Sequence, residues 1–280
     1  MSLRRLAGLV LVTLLLGAFA GPSRAPAYRL VDLSGGSDAA FTLATFNTLG
    51  SNHTSARGKE PELASGPQRT PGAISLLESY GVDVAGLQEF QPPQLKTFTS
   101  TVGDTWATWS AAGDTDNTIV WRRSRFELVS ARLLSVPYFA GHERQMPVVR
   151  LRDRQTGREY VFLNVHNPAD TRQFPRQAAY RAAALARERA FLQGLHAGVP
   201  VFVTGDMNDT HDVYCVLTAG GLMKAAGGGG KGCDPPVDHG IDWIFGRGSV
   251  TFSDYVVDRS PRREGTSDHP IVVTTVTPAP

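Results

Sequence analysis

At 280 residues the chain can form one large α/β domain or two small ones, and no internal repeat or composition shift marks a linker between lobes. Its formal charge of +2 includes Arg4, Arg5 and Arg24 with no acid before Tyr28, so removal of the first 27 residues leaves −1. That near-neutral balance excludes global charge as an argument for tight nucleic-acid binding, and leaves only local basic patches at Arg122-Arg123-Ser124-Arg125, around Arg144 and Arg150, and from Arg172 to Arg189.

Residues 1–27 read as an export signal, with Arg4-Arg5 as a positive start, an apolar run from Leu6 to Ala20, and small residues that place cleavage after Ala20 or Ala27. A membrane anchor competes with this reading. The run is shorter than the roughly 18 to 20 residues a spanning helix needs, so a secreted protein without stable membrane insertion is expected. Arg4-Arg5 also raises a twin-arginine route, although its surroundings fit one poorly. Residues 28–280 are expected to form a single domain and a monomer.

Residues 28–40 are a polar, Gly-rich lead-in to a strand at 41–46, which stops at Asn47. The loop at 52–67 contains His53, which reads as a solvated histidine. Thr70 as cap and Pro71 at the first helical position predict a helix carrying Ile74, Leu77 and Tyr80 and ended by Gly81. A strand at 82–87 then stops at Gln88-Glu89. Beyond Pro92-Pro93 come a short helix with Leu95, Phe98 and Val102, and two strands at 106–110 and 118–121 turned by residues 114–117. Strands at 126–136 and 148–151 lead to one at 160–165, which stops at His166-Asn167. Phe174, Arg181, Leu185, Glu188 and Leu192 carry the period of a long helix with arginines on its wet face. The run at 201–204 stops at Gly205-Asp206-Met207-Asn208, and Ile241, Trp243 and Phe245 alternate around Asp242 before Ser267-Asp268-His269-Pro270.

An Asp-x-Asn after a strand is often only a turn whose short side chains bond their own backbone. Here, however, Asn47, Glu89, His166 and Asp206 all lie where an apolar run meets a loop, and strands linked by helices gather ligand sites at one end. The pieces Thr45-Phe46-Asn47, Leu87-Gln88-Glu89, Val165-His166-Asn167, Gly205-Asp206-Met207-Asn208, residues 241–245 and Ser267-Asp268-His269-Pro270 resemble, in this order, the exonuclease/endonuclease/phosphatase superfamily in its deoxyribonuclease I-like form. The resemblance spans residues 41–276. It implies an α/β (α+β) fold of four layers, helix–sheet–sheet–helix, with two mixed sheets packed face to face. Leu49 stands where some apurinic-type members carry a second acid, and that branch's active-site tyrosine has no counterpart.

A phosphodiester resists water, so its hydrolysis needs charge neutralisation, an oriented water and a stabilised leaving oxygen. The resemblance makes Glu89, with Asn47 and Asp268, the ligand set for Mg2+ or Mn2+, hard ions that take oxygen donors. Asp206 is the candidate for activating the water, with Asn208 donating to the phosphate or holding Asp206. His269 would carry a proton with Asp242 as its orienting carboxylate. His166 and Arg144 resemble groups that reach the phosphate in this branch, and Asn167 beside His166 joins the substrate-binding set. His142, His196, His211 and His239 stand in no motif.

The expected function is therefore a metal-dependent phosphoesterase, first a nuclease on DNA or RNA, then a phospholipid or sugar-phosphate hydrolase, and last a binding module without turnover. Cys215 and Cys233, the two cysteines, are read as a bridge closing the loop that holds residues 226–230, or else as two thiols.

Overall fold

The structure, a computed structural model, describes residues 40–279 apart from Lys231 and Asp238, so the expected export signal lies outside it. Among the described residues, two six-stranded sheets face each other. The first is built from β1 (Phe41–Asn47), β2 (Val84–Gln88), β3 (Trp106–Ala111), β4 (Asp114–Arg122), β11 (Val250–Asp258) and β12 (Ile271–Pro278), in the order β11-β12-β1-β2-β4-β3. The second holds β5 (Phe126–Pro137), β6 (Glu143–Asp153), β7 (Glu159–His166), β8 (Val201–Asp206), β9 (Lys224–Ala225) and β10 (Asp242–Arg247), in the order β5-β6-β7-β8-β10-β9. Each sheet has one parallel pair, β1 with β2 and β7 with β8. Each pair is bridged by a crossover helix, α1 (Gly66–Ser79) and α3 (Ala178–Gly194), as a parallel connection requires.

Strand alternation separates three apolar layers. Phe41, Phe126, Tyr160, Phe162 and Phe202 pack between the sheets, with Phe41 and Phe126 edge to face at 5.4 Å. Each such ring contributes about 1.5–3 kcal/mol by burial, which makes this cluster the main adhesive between the sheets. Phe46 and Leu87 turn outward to Ile74, Leu77 and Phe98 of α1 and α2 (Pro92–Val102), while Leu163 and Val203 meet Leu185, Leu192 and Val213 of α3 and α4 (His211–Thr218). This is the four-layer architecture expected from the sequence. No helix among the described residues is long and apolar enough to cross a membrane.

Several elements begin elsewhere than expected. Helix α1 starts at Gly66 because Ser65 and Gln68 form a capping box a turn before Thr70, with Ser65 N donating to Gln68 Oε1 at 3.1 Å. Pro71 therefore lies inside the helix. The hairpin expected at residues 114–117 turns instead at Ala112-Gly113, where Gly113 adopts φ 79° at no steric cost. Asp114 and Asp116 are thereby placed on β4. Strand β6 reaches back to Glu143, so Arg144 is a strand residue paired with Val136. Helix α3 starts at Ala178, which leaves Phe174 in the preceding loop. Cys215 and Cys233 are joined, with Cα atoms 4.6 Å apart.

Candidate active site

Strand register brings the motif residues together. Asn47 pairs with Gln88 across β1 and β2, His166 with Asp206 across β7 and β8, and Asp206 with Asp242 across β8 and β10. Both parallel pairs end on the same side of the sandwich. Asn47 Nδ2 joins them, donating to Glu89 Oε1 at 3.2 Å and to Asp206 Oδ2 at 3.1 Å.

Just below this junction the two sheets are latched. Gln88 Nε2 donates to Asn164 Oδ1 at 2.6 Å, and Asn164 Nδ2 donates to the Leu87 and Thr118 carbonyls. A β-carbon on Gly86 would lie 2.4 Å from Asn164 Oδ1, so glycine is needed for this approach. The backbone at the site is also held in unusual conformations: Leu49, Glu89 and Asn208 have φ of 56°, 54° and 48°. Such left-handed residues persist only where surrounding contacts over-determine them.

One pole of the site is carboxylate-rich. Glu89 Oε2 accepts from Gly50 N at 2.8 Å and lies 3.1 Å from His53 Nε2. Burial alone would raise Glu89, but the His53 contact and the Lys59 charge hold it well below the usual range, so it is ionised. His53, expected to be merely solvated, is thus a partner of Glu89, because residues 51–54 fold into a one-turn 3-10 helix beside it. Asp268 Oδ2 pairs with Lys59 Nζ at 2.9 Å, and its buried Oδ1 has no hydrogen-bond partner.

The other pole combines carboxylates with imidazoles. Asp206, 1 % exposed, accepts from Asn208 N at 3.0 Å and lies 3.5 Å from His166 Nε2 and 3.7 Å from His269 Nε2. Burial raises its carboxyl despite the two histidines. His269 Nδ1 meets Asp242 Oδ2 at 3.0 Å. Burial opposes the imidazolium, but Asp242 and Asp206 overcome this and push His269 up to about 10, so it keeps its proton at neutral pH. His166 moves the other way, because burial outweighs Asp206 and Glu89. The site therefore sets a cationic imidazole and a neutral one against the same oxygen of Asp206, Oδ2.

Asn208 and two of the expected substrate contacts turn out to organise the site. Asn208 Nδ2 donates to the Asn167 carbonyl at 2.8 Å, so Asn208 braces the loop as well as Asp206. Asn167 itself is buried with its amide on Met207 Sδ at 3.8 Å, because strand alternation turns it away from the face His166 occupies. Arg144 is engaged by Asp114 at 3.1 Å and Asp116 at 2.5 Å and lies over the Tyr138 ring at 4.5 Å. The shifted turn at Gly113 supplies both acids. Of the histidines in no motif, His239 stacks on Trp243 with centroids 3.4 Å apart.

Sequence reasoning missed Arg69, Lys59 and Glu188. Arg69, 4 % exposed, donates to the carbonyls of Ala64, Thr48, Leu49 and Thr266, thereby tying the segment after Asn47 to the segment before Asp268. An arginine directly before the expected helix start at Thr70-Pro71, after a Gly/Pro-rich loop, was the available signal. Glu188 of α3 is fully buried with the Asn167 amide beside it, and burial pushes its carboxyl up to about 7. Its folded value lies above the ordinary 4.5, so the fold binds an extra proton between pH 4.5 and 7 and loses stability as pH rises through that window. Glu188→Gln should therefore raise the melting temperature at pH 8 and leave it nearly unchanged at pH 4.5. Equal shifts at the two pH values, read by differential scanning fluorimetry, would show that Glu188 is charged in the fold.

The donors fit a divalent cation. Glu89 is ionised and Asp268 has a buried oxygen without a partner, both hard oxygen donors of the kind Mg2+ takes. Asn47 Oδ1 already accepts from Leu49 N at 3.0 Å, so the amide faces the carboxylates with its nitrogen rather than its expected ligand oxygen. A second candidate group, Asp206, Asp242 and His269, has ligand atoms within 4.8 Å of one another. Its His269–Asp242 bond and the proton on His269 favour proton handling there.

A two-sheet sandwich with carboxylates and imidazoles at one end is the arrangement the resemblance implied for a phosphoester hydrolase. The chain belongs to the endonuclease/exonuclease/phosphatase family, whose model matches residues 44–269. It is a divalent-metal-dependent enzyme acting on phosphate esters. Among solved structures it is similar to an endonuclease/exonuclease/phosphatase family protein from Bacteroides thetaiotaomicron, at 20 % identity and TM-score 0.68 over 86 % of this chain and 98 % of that one. It is also similar to a mannosyl-6-phosphatase from the same species (19 %, TM-score 0.63, covering 85 % and 99 %). A third similar structure is D. rerio TDP2 in complex with a single-strand DNA product (17 %, TM-score 0.64, covering 85 % and 99 %). At these identities the likeness is one of fold. No curated protein matches the chain.

Proposed function

We propose that the protein is an exported, Mg2+-dependent nuclease that hydrolyses phosphodiester bonds. The observation that carries this reading is the buried Asp206 carboxylate with His166 Nε2 at 3.5 Å and His269 Nε2 at 3.7 Å from its Oδ2, a set of groups suited to activating water and to protonating a leaving oxygen. A phosphomonoester dianion needs further fixed cations facing it. Arg144, the arginine expected to reach the phosphate, is already paired with Asp114 and Asp116, and Arg69 is spent on backbone carbonyls, which favours the singly charged diester. The TDP2 complex with a single-strand DNA product supports nucleic acid as the substrate through the shared fold.

Asp206 orients the attacking water and takes its proton as the new P–O bond forms and the bond to the leaving oxygen breaks, with Asn208 N fixing one of its oxygens and Asn47 the other. His166 contacts a non-bridging oxygen. His269, oriented by Asp242, gives its proton to the departing oxygen. Glu89 and Asp268 would hold the divalent cation, which would supply charge neutralisation for the phosphate.

Dialysis against EDTA should lower the rate at least 100-fold, since such charge neutralisation contributes several kcal/mol, and Mg2+ or Mn2+ should restore it. Full activity after exhaustive chelation sinks the metal assignment. A hydrolysis screen of plasmid DNA, single strands, RNA, sphingomyelin, inositol phosphates and a sugar phosphate tests the substrate. Release of phosphate from the sugar phosphate alone overturns the nuclease reading. Export is tested by N-terminal sequencing of protein from the culture medium, where a start at Gly21 or Tyr28 is expected and a chain retained in cells with Met1 would refute it.

A further inference from the structure

Two loops beside His166 carry a line of aromatic rings that the catalytic steps do not use. Tyr138 lies edge-on to His166, with centroids 5.9 Å apart, and next to Phe139 at 4.4 Å. Phe139 in turn stacks on Phe174, 5.0 Å between centroids and 15° between planes. Phe139 belongs to the 3-10 turn Phe139–Gly141 between β5 and β6, whereas Phe174 belongs to the loop between β7 and α3. Both rings are half-buried.

This arrangement is built rather than incidental. Gln177, 4 % exposed, accepts from Ala140 N at 2.9 Å and donates to the Pro175 carbonyl at 3.0 Å, so one buried amide clamps the two loops together. Thr171 and Phe174 exchange hydrogen bonds, Phe174 N to Thr171 Oγ1 at 2.9 Å and Thr171 N to the Phe174 carbonyl at 3.0 Å. Ala140 and Arg176 are held at φ 53° and 61°, conformations that a non-glycine residue adopts only under such restraint. Arg172 and Arg176 flank Phe174 in the chain, both are exposed, and neither guanidinium forms an ion pair among the described residues. The nearby Arg181 and Arg187, by contrast, are paired with Asp170 and Glu143.

We propose that Phe139 and Phe174 form a stacking platform for a nucleobase next to the scissile phosphate, with Arg172 and Arg176 meeting the adjoining backbone, so that the substrate is a single-stranded nucleic acid. The proposal rests on the nuclease reading. Every base has a flat apolar face, so an aromatic platform binds single strands with little regard to sequence, and free arginines match the repeating phosphate charge. A duplex keeps its bases stacked on each other and offers no such face to a side chain.

The test uses the full chain with Mg2+ and three DNA substrates of one length: a single strand, the same strand with abasic nucleotides around the cleaved bond, and the duplex. Wild type should show a KM about tenfold lower for the base-bearing strand than for the abasic one, the loss expected for one stacked base. Phe174→Ala should raise KM about tenfold on the base-bearing strand, leave kcat unchanged, and have little effect on the abasic strand. Phe174→Leu, which keeps apolar bulk but lacks the ring, should shift KM in the same direction, and Arg172→Ser with Arg176→Ser should weaken both single strands and flatten the salt dependence. If the Phe174 variants cleave both single strands like wild type, or lose equally on both, the platform is refuted and the nuclease reading stands. If wild type cleaves no nucleic acid yet releases phosphate from a sugar phosphate in the same buffer, both fall.

Discussion

Asp206→Asn is expected to lower kcat by about 100- to 10,000-fold, the range over which positioned acid–base groups act. The substitution is nearly isosteric and keeps an oxygen for Asn208 N, so the fold should survive it. What disappears is the charge shared by Asn47, His166 and His269. His269→Ala and Asp242→Ala should each cost much of the rate as well. The double variant should lose little beyond the worse single one, because the 3.0 Å His269–Asp242 contact makes the pair act as a unit. The comparison requires saturating metal and circular dichroism to verify folding. Losses that multiply would separate the two residues and leave Asp242 as a strand carboxylate without a catalytic partner.

Arg69→Ala should produce the largest loss of stability, about 3 to 5 kcal/mol, because each buried acceptor stripped of its donor costs about 1–3 kcal/mol and water can recover only part of that. Four carbonyls converge on this guanidinium, from Ala64, Thr48, Leu49 and Thr266. Two of the tethered segments run directly into Asn47 and Asp268, so kcat should fall in the fraction that remains folded. Arg69→Lys should recover little, since a single ammonium cannot reproduce a planar fork with donors pointing in several directions. Urea titration measures the effect, and a change below about 1 kcal/mol for the alanine variant would show that the loops hold together without this residue.

The chain's own pattern already announced the α/β sandwich and the strand ends at which the candidate site residues gather. Strand periodicity is local, and a polar residue that stops an apolar run at Asn47, Glu89, His166 or Asp206 can be seen without knowing which strand lies beside it. The alternation around Asp242 likewise predicted that it would leave the core, and it meets His269. Alternation applied to His166-Asn167 would also have placed Asn167 on the far face, where it lies.

Only the tertiary structure decided which polar groups meet. His53 on Glu89, Lys59 on Asp268, Gln88 on Asn164 and Arg69 across two loops are contacts between segments far apart in the chain, and no local period encodes them. Arg144 shows the reason most clearly. The resemblance made it a phosphate contact, but a hairpin that turns at Gly113 instead of at residues 114–117 puts Asp114 and Asp116 on a strand that faces it. Residue type and period fix which groups can do chemistry, whereas register and loop path, each set by the packing of the whole sandwich, fix which of them are left available to do it.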